Sequence, residues 1–570
     1  MTPHPLGTRA RVLLTSVFGP FAQDDEFGSR AINPMELYQN QVTREQGPFS
    51  LRMFHRSWGL LLIQHNLTAP TALLDFPTRA RFIEEITSTR YDIIGISGII
   101  VNVGKVREMC RLVRAHSPHS TIVVGGHVSA IPGVESMIDA DHIVKGEGVA
   151  WFREFLGEPA DAPVKHPPLL SSFGFRVMGV SPPQGAGNVA ATIVTSVGCP
   201  LGCNFCTTSA FFGGKGKVVT YFQTGEDLFR VMCEAEAALG VSAFFMMDEN
   251  FLLFRRRAMQ LLELMRRDGK AWTLYVFSSA NAIAKYTRRE LVELGISWIW
   301  MGLESANSQY AKLNGADTKA LVRDLQDHGI RVLGSTIVGL EHHTPENIGE
   351  ELEYAVSHGT DFHQFMLYTP VPGTPLYAEM QAAGRLDPAS DLADIHGQHT
   401  FNFRHAAISR DDSKRWLDFA FRRDYEVNGP SLFRLMRTSF NGWKRYHDDA
   451  DPRVRARIAQ EGLQLATGYA ASLWAIARYL RREGSAVAAE ADALVREMKQ
   501  ALGWRARLAA ALGGPALLWT TRREARRFPN GRPMEPRTFL ERRNWAAPAE
   551  AAREAPMVAA ARAAARAAAL

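Results

Sequence analysis

The chain has 570 residues, 46% hydrophobic and 22% charged, with 65 Lys and Arg against 59 Asp and Glu for a net charge of +6. This ordinary globular composition excludes a peptide hormone, a disulfide scaffold, a collagenous chain and a wholly disordered one, and the length predicts about three or four domains. Five cysteines form no disulfide framework, and no run approaches the roughly 18 consecutive apolar residues of a membrane-spanning helix.

Residues 1–156 alternate short apolar runs with helical patterns. The run Val12–Val17 is too short for a signal-peptide core and reads as a first buried strand, so a cytoplasmic protein is expected. Further strands are expected at Ala72–Asp75, Ile93–Ser97, Thr121–Val124 and His142–Val144, with helices at Thr78–Ile86 and Val103–His116. Strands of Val, Ile and Leu, each followed by a helix, predict an α/β unit with a doubly wound parallel sheet covered on both faces. Two strands run into glycine turns, Gly125-Gly126-His127 and Gly146-Glu147-Gly148. Ligands of open α/β sheets dock at such carboxyl ends, where glycine lets backbone approach them.

Residues 157–187 carry six prolines and read as an extended linker laid over its neighbours. Residues 188–400 hold six apolar runs: Thr192–Val197, Ala243–Met247, Thr273–Ser278, Trp298–Gly302, Val332–Val338 and Phe362–Tyr368. The last five recur at βα-repeat spacing, which predicts a partial (β/α)6 barrel with its chemistry at the strand C-termini. Beyond residue 400 strand signals fade. Residues 401–545 read as a helical, basic C-terminal region, with twelve Lys or Arg against four Glu in 496–545, and 546–570 as an alanine-rich tail.

Cys199, Cys203 and Cys206 fall within eight residues directly after a predicted strand, in the pattern C-x3-C-x-F-C, whereas Cys110 and Cys233 are isolated. Three thiolates from one loop can each take one iron of a 4Fe–4S cube and leave the fourth iron open to a substrate or cosubstrate. The alternatives are a zinc site and unrelated buried thiols. Structural zinc wants a fourth ligand and paired C-x2-C spacings, and the sequence has no second pair.

This cysteine pattern at the end of a first barrel strand resembles the radical S-adenosylmethionine (SAM) superfamily. The resemblance continues in order through Met247–Phe251, Trp300–Ser305, Val338–Leu340 and Tyr368–Pro375. It implies that Cys199, Cys203 and Cys206 ligate the cluster and that the SAM amino and carboxylate groups chelate the fourth iron. Phe205 is then expected near the adenine, and Asp248, Glu249, Glu304 and Ser305 hold the SAM amino group and ribose. The bland readings are a barrel-rim salt bridge for Glu304 and a helix N-cap for Asp248-Glu249.

The order of strands and glycine turns in residues 91–152 resembles the cobalamin-binding domain that precedes many radical SAM barrels. Carried over residue by residue, Ser97, Gly125, Gly126, Gly146 and Glu147 line the cofactor, unless the sheet is a flavodoxin-like one without ligand. The chain departs from one pattern of that family: D-x-H-x-x-G is absent, and the loop after the first strand, residues 16–21, has no histidine. His127 reads as a loop residue rather than an axial ligand.

The resemblance implies reductive cleavage of SAM, hydrogen abstraction from an unactivated carbon and cobalamin-dependent C-methylation, with flavodoxin or ferredoxin as reductant. The same residues serve radical cyclisation, C–C coupling or rearrangement of a lipid or natural product. A third reading is an iron–sulfur or corrinoid sensor whose basic C-terminus binds nucleic acid, although water is the usual neighbour of such a stretch and nucleic acid is not expected. Residues 502–512 mix apolar and cationic side chains as an interfacial helix does, so a lipid substrate and peripheral membrane contact are also expected.

Overall fold

The computed structural model describes residues 1–21, 26–29, 32–33, 35–181, 190–304, 313, 315–528 and 534–545. In the first sheet, β1 (Val12–Ser16), β2 (Thr71–Asp75), β3 (Ile93–Ser97), β4 (Thr121–Gly125) and β5 (His142–Ile143) lie parallel in the order 2-1-3-4-5. Every residue of β1 and β2 is buried, as continuous apolar strands between two helical layers must be. The helix Val103–His116 forms over the expected residues, and Thr78 caps its neighbour Arg79–Ser88 by accepting a hydrogen bond from Arg81 N at 3.1 Å.

The prolyl segment after residue 156 is more than a tether. Its β6 (Leu169–Leu170) adds antiparallel to the edge of the second sheet, and Phe173–Arg176 pairs with the early strand Arg52–Phe54. Residues 182–189 of that segment lie outside the described residues.

The second sheet runs in chain order: β7 (Ala190–Ile193), β8 (Ala243–Met246), β9 (Thr273–Phe277), β10 (Ile296–Glu304), β11 (Arg331–Val338) and β12 (Phe362–Leu367), all parallel. The first expected run splits, with β7 followed by a separate strand, Ser196–Val197. Helices Gly225–Leu239, Arg255–Arg267 and Thr318–Asp327 cover one face of the sheet, burying Phe244, Leu274, Ile299 and Val332 against them.

The sheet does not close on itself, because β12 and β6 are its two free edges. Residues from the N-terminal third bridge the opening. Gln364 on β12 donates to Gln41 at 3.0 Å, and His55 Nδ1 lies 2.5 Å from the Ser171 carbonyl next to β6.

Beyond residue 400 the described residues hold six long helices, from Arg410–Asn428 to Gly503–Arg527. A fully buried Arg434 pins them to the sheet, pairing with Asp424 at 2.8 Å and donating to the Thr360 carbonyl at 2.7 Å. The chain then returns: β13 (Phe539–Arg543) pairs antiparallel with β2 at the edge of the first sheet. The sequence predicts only helix here. Phe-Leu-Glu-Arg-Arg carries no alternation, and the strand forms because β2 offers an unpaired edge. The alanine-rich stretch 546–570 lies outside the described residues.

Candidate active site at the joint of the two sheets

Ser196–Val197 pairs antiparallel with Val219–Thr220, and the pair pinches residues 198–218 into one loop. Gly198 (φ +88°) and Gly202 (φ +67°) let it fold tightly, since a Cβ would stand 2.9 Å from Phe212 and 2.5 Å from Lys215 respectively. Cys199, Cys203 and Cys206 are half-buried, and none is in a disulfide. The Cys203 carbonyl accepts from Cys206 N at 3.0 Å, Cys206 Sγ accepts from Ser209 N at 3.5 Å, and Ser209 Oγ donates to the Cys199 carbonyl at 2.7 Å. Burial pushes the Cys206 thiol up to about 11, so metal binding there displaces a proton. Cys110 is buried in the core of the first sheet and Cys233 lies on the outer helix Gly225–Leu239. The donor set fits a cluster with three protein corners.

Past the end of β8 the chain enters a turn in which Asp248 and Asn250 are buried and Glu249 between them is half-buried. Asp248 is fully buried and accepts from the Thr195 and Ser196 hydroxyls and from Arg257 Nη2, so it ties the root of the cysteine loop to β8. Neither helix capping nor contact with a cosubstrate describes it; its carboxylate is consumed inside the protein. Asn250 likewise bonds Ser278 and Ser279 at 2.9 Å each, joining β8 to β9. Glu249 lies beside Cys206, where burial and the Asp248 charge push its carboxyl up to about 7.

Glu304 ends β10, 2% exposed, at a register shift and in the left-handed region at φ +57°. A non-glycine residue held there stores backbone strain, and such strain collects at functional positions. Ser305 lies outside the described residues. Phe205 packs half-buried against the cluster of side chains around Ile337 and Val338.

On the first sheet, Ser97 and Gly125 end adjacent strands and are paired in register. Gly126 (φ +80°) lies so close to β3 that a Cβ would meet the Gly98 carbonyl at 2.5 Å and Ser97 Oγ at 3.0 Å. Gly146 (φ +97°) faces open space. The carboxyl ends of β4 and β5 thus form a bare backbone shelf that a large planar cofactor can approach. Glu147 beside it is half-buried and already engaged. Its carboxylate caps the helix Gly148–Phe155 through Val149 N and Ala150 N, both at 2.7 Å, and accepts from Tyr221 OH at 2.9 Å.

The two sheets meet here. His127, just past β4, stacks on Phe211 of the cysteine loop at 4.5 Å, and a Cβ on Gly373 would stand 2.8 Å from Ala130. Burial drives the His127 imidazole down to about 4, so the ring is neutral. Tyr221 makes the second link, from the foot of the cysteine loop to Glu147. The sequence shows neither joint, since no spacing rule pairs residues so far apart.

A group of rings on the face of the second sheet opposite the helices also escapes sequence reading. Phe245 contacts Phe277 at 5.5 Å, and Phe277 stacks on Trp300 at 5.1 Å. Two residues along the same strand, Trp298 lies 5.0 Å from Phe362. The bridging N-terminal segment completes the circuit: Tyr38 meets Phe362 at 6.5 Å, His55 meets Tyr38 at 6.3 Å and Trp58 at 5.0 Å, and Trp58 returns to Phe245 at 6.0 Å.

A loop of three thiols at the carboxyl end of a six-stranded open barrel, facing a glycine shelf on a 2-1-3-4-5 sheet, defines a radical SAM enzyme with a cobalamin-binding domain. The radical SAM superfamily profile matches residues 193–355 and the B12-binding domain profile residues 63–156. The chain thus carries a radical SAM domain and a B12-binding domain, and its cofactors are a 4Fe–4S cluster, SAM and cobalamin. Such an enzyme requires a reductant and a small-molecule substrate. It is similar to the bacteriochlorophyllide d C-8(2)-methyltransferase of Chlorobaculum tepidum, with 25% identity over 63% of this chain and 81% of that protein. The uncharacterized methyltransferase PH0819 of Pyrococcus horikoshii is 23% identical over 50% of this chain and 68% of its own length. The hopanoid C-2 methylase of Rhodopseudomonas palustris is 25% identical over 58% and 62%. The structure of the methyltransferase TsrM from Kitasatospora setae, with tryptophan and a SAM analogue bound, superposes with a TM-score of 0.50 at 16% identity over 79% of this chain and 98% of that one, a likeness of fold. No helix among the described residues is long and apolar enough to cross a membrane.

Proposed function

We propose that the protein transfers a methyl group to an unreactive carbon of an apolar substrate, using cobalamin as the methyl carrier. The observation that carries this reading is the joint at His127 and Phe211, which sets the glycine shelf against the cysteine loop. When bound, the cluster and SAM supply a carbon-centred radical, and cobalamin supplies the methyl group.

Cys199, Cys203 and Cys206 hold the cluster. Glu249, in the turn after β8 and beside Cys206, takes the SAM amino group, and Glu304 holds the ribose hydroxyls from its strained turn. Asp248 and Arg257 keep the root of the loop rigid, a positioning role. Ser97, Gly125, Gly126 and Gly146 form the corrinoid shelf, with Glu147 holding its helix and Tyr221. The rings between β8 and β12 exclude water from the reacting carbon.

Anaerobic reconstitution tests the reading. The protein is expected to bind about four irons and a corrinoid, and to release 5′-deoxyadenosine under strong reductant. Cys203→Ser is expected to abolish that release. A folded, reconstituted protein that holds no corrinoid overturns the methyl-transfer reading, and one that holds no iron overturns the radical chemistry.

The same reading extends to the membrane. On the helix Gly503–Arg527, Trp504, Leu508, Leu512 and Trp519 are 68%, 50%, 69% and 61% exposed. At about 100° per residue they share an arc of about 80°, with Arg522 and Arg526 continuing it. Indole rings and arginines along one exposed stripe suit the anionic surface of a bilayer. Co-sedimentation with phosphatidylglycerol vesicles is expected for the full chain and is lost in Trp504→Ser/Trp519→Ser. Equal sedimentation of both proteins removes this contact.

A further inference from the structure

The aromatic circuit does not behave as packed core. Core rings are closed on all sides, yet of its members only Phe362 is closed, at 1% exposure, and the other seven keep part of their surface open. They are nonetheless far from bulk water. Burial pushes the Tyr38 hydroxyl up to about 12, raises that of Tyr275 beside the circuit, and lowers the His55 imidazole. Side chains desolvated yet still open line an internal chamber.

No unpaired charge stands against these rings among the described residues. His55 is neutral, and Arg331, 5.9 Å from the Trp298 ring, is paired with Glu461 at 2.9 Å. Polar groups stand at several points of it, among them the Tyr38 hydroxyl and the Ser335 hydroxyl that Trp300 Nε1 reaches at 2.7 Å, but one carries an unused buried donor. Trp58 Nε1 is buried with no hydrogen-bond partner among the described residues, and an indole N–H can only donate. Beside it His55 gives its Nδ1 proton to the Ser171 carbonyl, which leaves Nε2 as an acceptor. A hydroxyl bound there accepts from Trp58 and donates to His55.

We infer, resting on the proposed radical chemistry only for its purpose, that this chamber binds the substrate and that the substrate is a large, flat, largely apolar molecule with a single small polar group seated between Trp58 and His55. Rings on opposite walls select a flat apolar body by contact area, and a buried donor left unpaired disfavours a ligand lacking the matching acceptor. With no unpaired charge against these rings among the described residues, phosphates, nucleotides and zwitterionic amino acids are disfavoured.

Equilibrium dialysis of the anaerobic holoprotein against 1-pyrenemethanol, an apolar polycycle with one hydroxyl, tests this. Saturable binding is expected, undisturbed by excess cytidine monophosphate or tryptophan. Phe277→Asp, which places a carboxylate in the wall, is expected to weaken binding at least about tenfold. Trp58→Phe, which keeps a ring and removes the donor, is expected to weaken it about fivefold for 1-pyrenemethanol and leave unsubstituted pyrene unaffected. Binding unchanged in both variants, or displacement by cytidine monophosphate, overturns the proposal. If Phe277→Asp fails to fold, Trp58→Phe and the competition decide. Measuring 5′-deoxyadenosine in the same samples separates the two readings. Probe binding without deoxyadenosine removes the radical chemistry and keeps the chamber, and deoxyadenosine without probe binding does the reverse.

Discussion

Asp248→Asn distinguishes a carboxylate that holds the cysteine loop from one that holds the cosubstrate. Asp248 and Arg257 have side chains 0% and 3% exposed and pair at 2.5 Å. Arg257 Nε already has no hydrogen-bond partner among the described residues, and its Nη1 reaches only the Phe222 carbonyl at 3.2 Å. Asparagine keeps the shape, with its one oxygen accepting from one of the Thr195 and Ser196 hydroxyls and its NH2 donating to the other, but it leaves the guanidinium as an uncompensated buried charge. Breaking a buried pair from one side costs about 3–5 kcal/mol. At about 2–4 °C per kcal/mol for a cooperative unit of roughly 200 residues, the thermal transition of the barrel falls by about 6–20 °C. Removing the stranded charge as well, in Asp248→Asn/Arg257→Met, is expected to recover most of that loss, because an apolar replacement has no charge to desolvate. Calorimetry on anaerobic holoprotein measures the transition, and dialysis of SAM well below it measures the cosubstrate. Affinity for SAM is expected to change less than about threefold. A variant with the parent transition temperature and at least tenfold weaker SAM binding refutes the structural role and returns Asp248 to the cosubstrate.

Glu304→Gly is expected to relieve the φ +57° turn and leave thermal stability level or about 1 kcal/mol higher, while SAM affinity falls at least about tenfold; loss of stability without loss of affinity contradicts the assignment. Gly126→Ala forces a Cβ against the Gly98 carbonyl at 2.5 Å, so corrinoid content, read from the visible spectrum, is expected to drop well below one equivalent while iron content holds. Acid lability is expected to begin above the carboxylate range. Burial holds His166 and His343 down to about 4, and His363 and His396 down to about 3, against about 6.5 in the unfolded chain. Between those values the unfolded state binds more protons, so the stability from these neutral rings is complete above pH 6.5 and is lost as pH falls toward 4. Thermal melts at quarter-unit steps check this, and a transition temperature flat from pH 6.5 to 5 contradicts it.

The parallel strands were legible because local pattern suffices for them. Runs of Val, Ile and Leu buried on both faces leave the same trace wherever they occur, and the three clustered thiols need only a spacing count. The acidic run Asp248, Glu249 and Asn250 was legible as a polar cluster past a strand end, but it leaves β8 through a turn, where no alternation rule assigns its sides. What decides which side faces the loop is Arg257, nine residues on and on the outer helix, so a reading of the acidic run alone could not separate pin from ligand. Glu147 misled in the same way: glycine neighbours suggested an open ligand loop, but two backbone N–H groups and Tyr221 claim its carboxylate.

The N-terminal segment carries no strand or helix pattern strong enough to attract a role, yet Tyr38, His55 and Trp58 fill the gap that a half-closed sheet leaves. A sheet with two free edges leaves one side of its barrel open to water. Something must stand between β12 and β6, and its sequence is constrained only by the rings it meets there. Because that filler runs on into the sheet that carries the corrinoid shelf, the wall of the substrate chamber is tied to that sheet through one stretch of backbone, residues 35–75, from Tyr38 through Trp58 into β2. Strand β13 then closes the same edge from the C-terminal side, with Glu541 pairing to Arg56 at 2.8 Å, two residues before Trp58. The chamber is thus held by both ends of the chain, so truncating before residue 539 is expected to loosen Trp58 and weaken apolar-probe binding even though the barrel, the three thiols and the glycine shelf are all retained. Probe binding identical in the truncated and full chains contradicts this coupling.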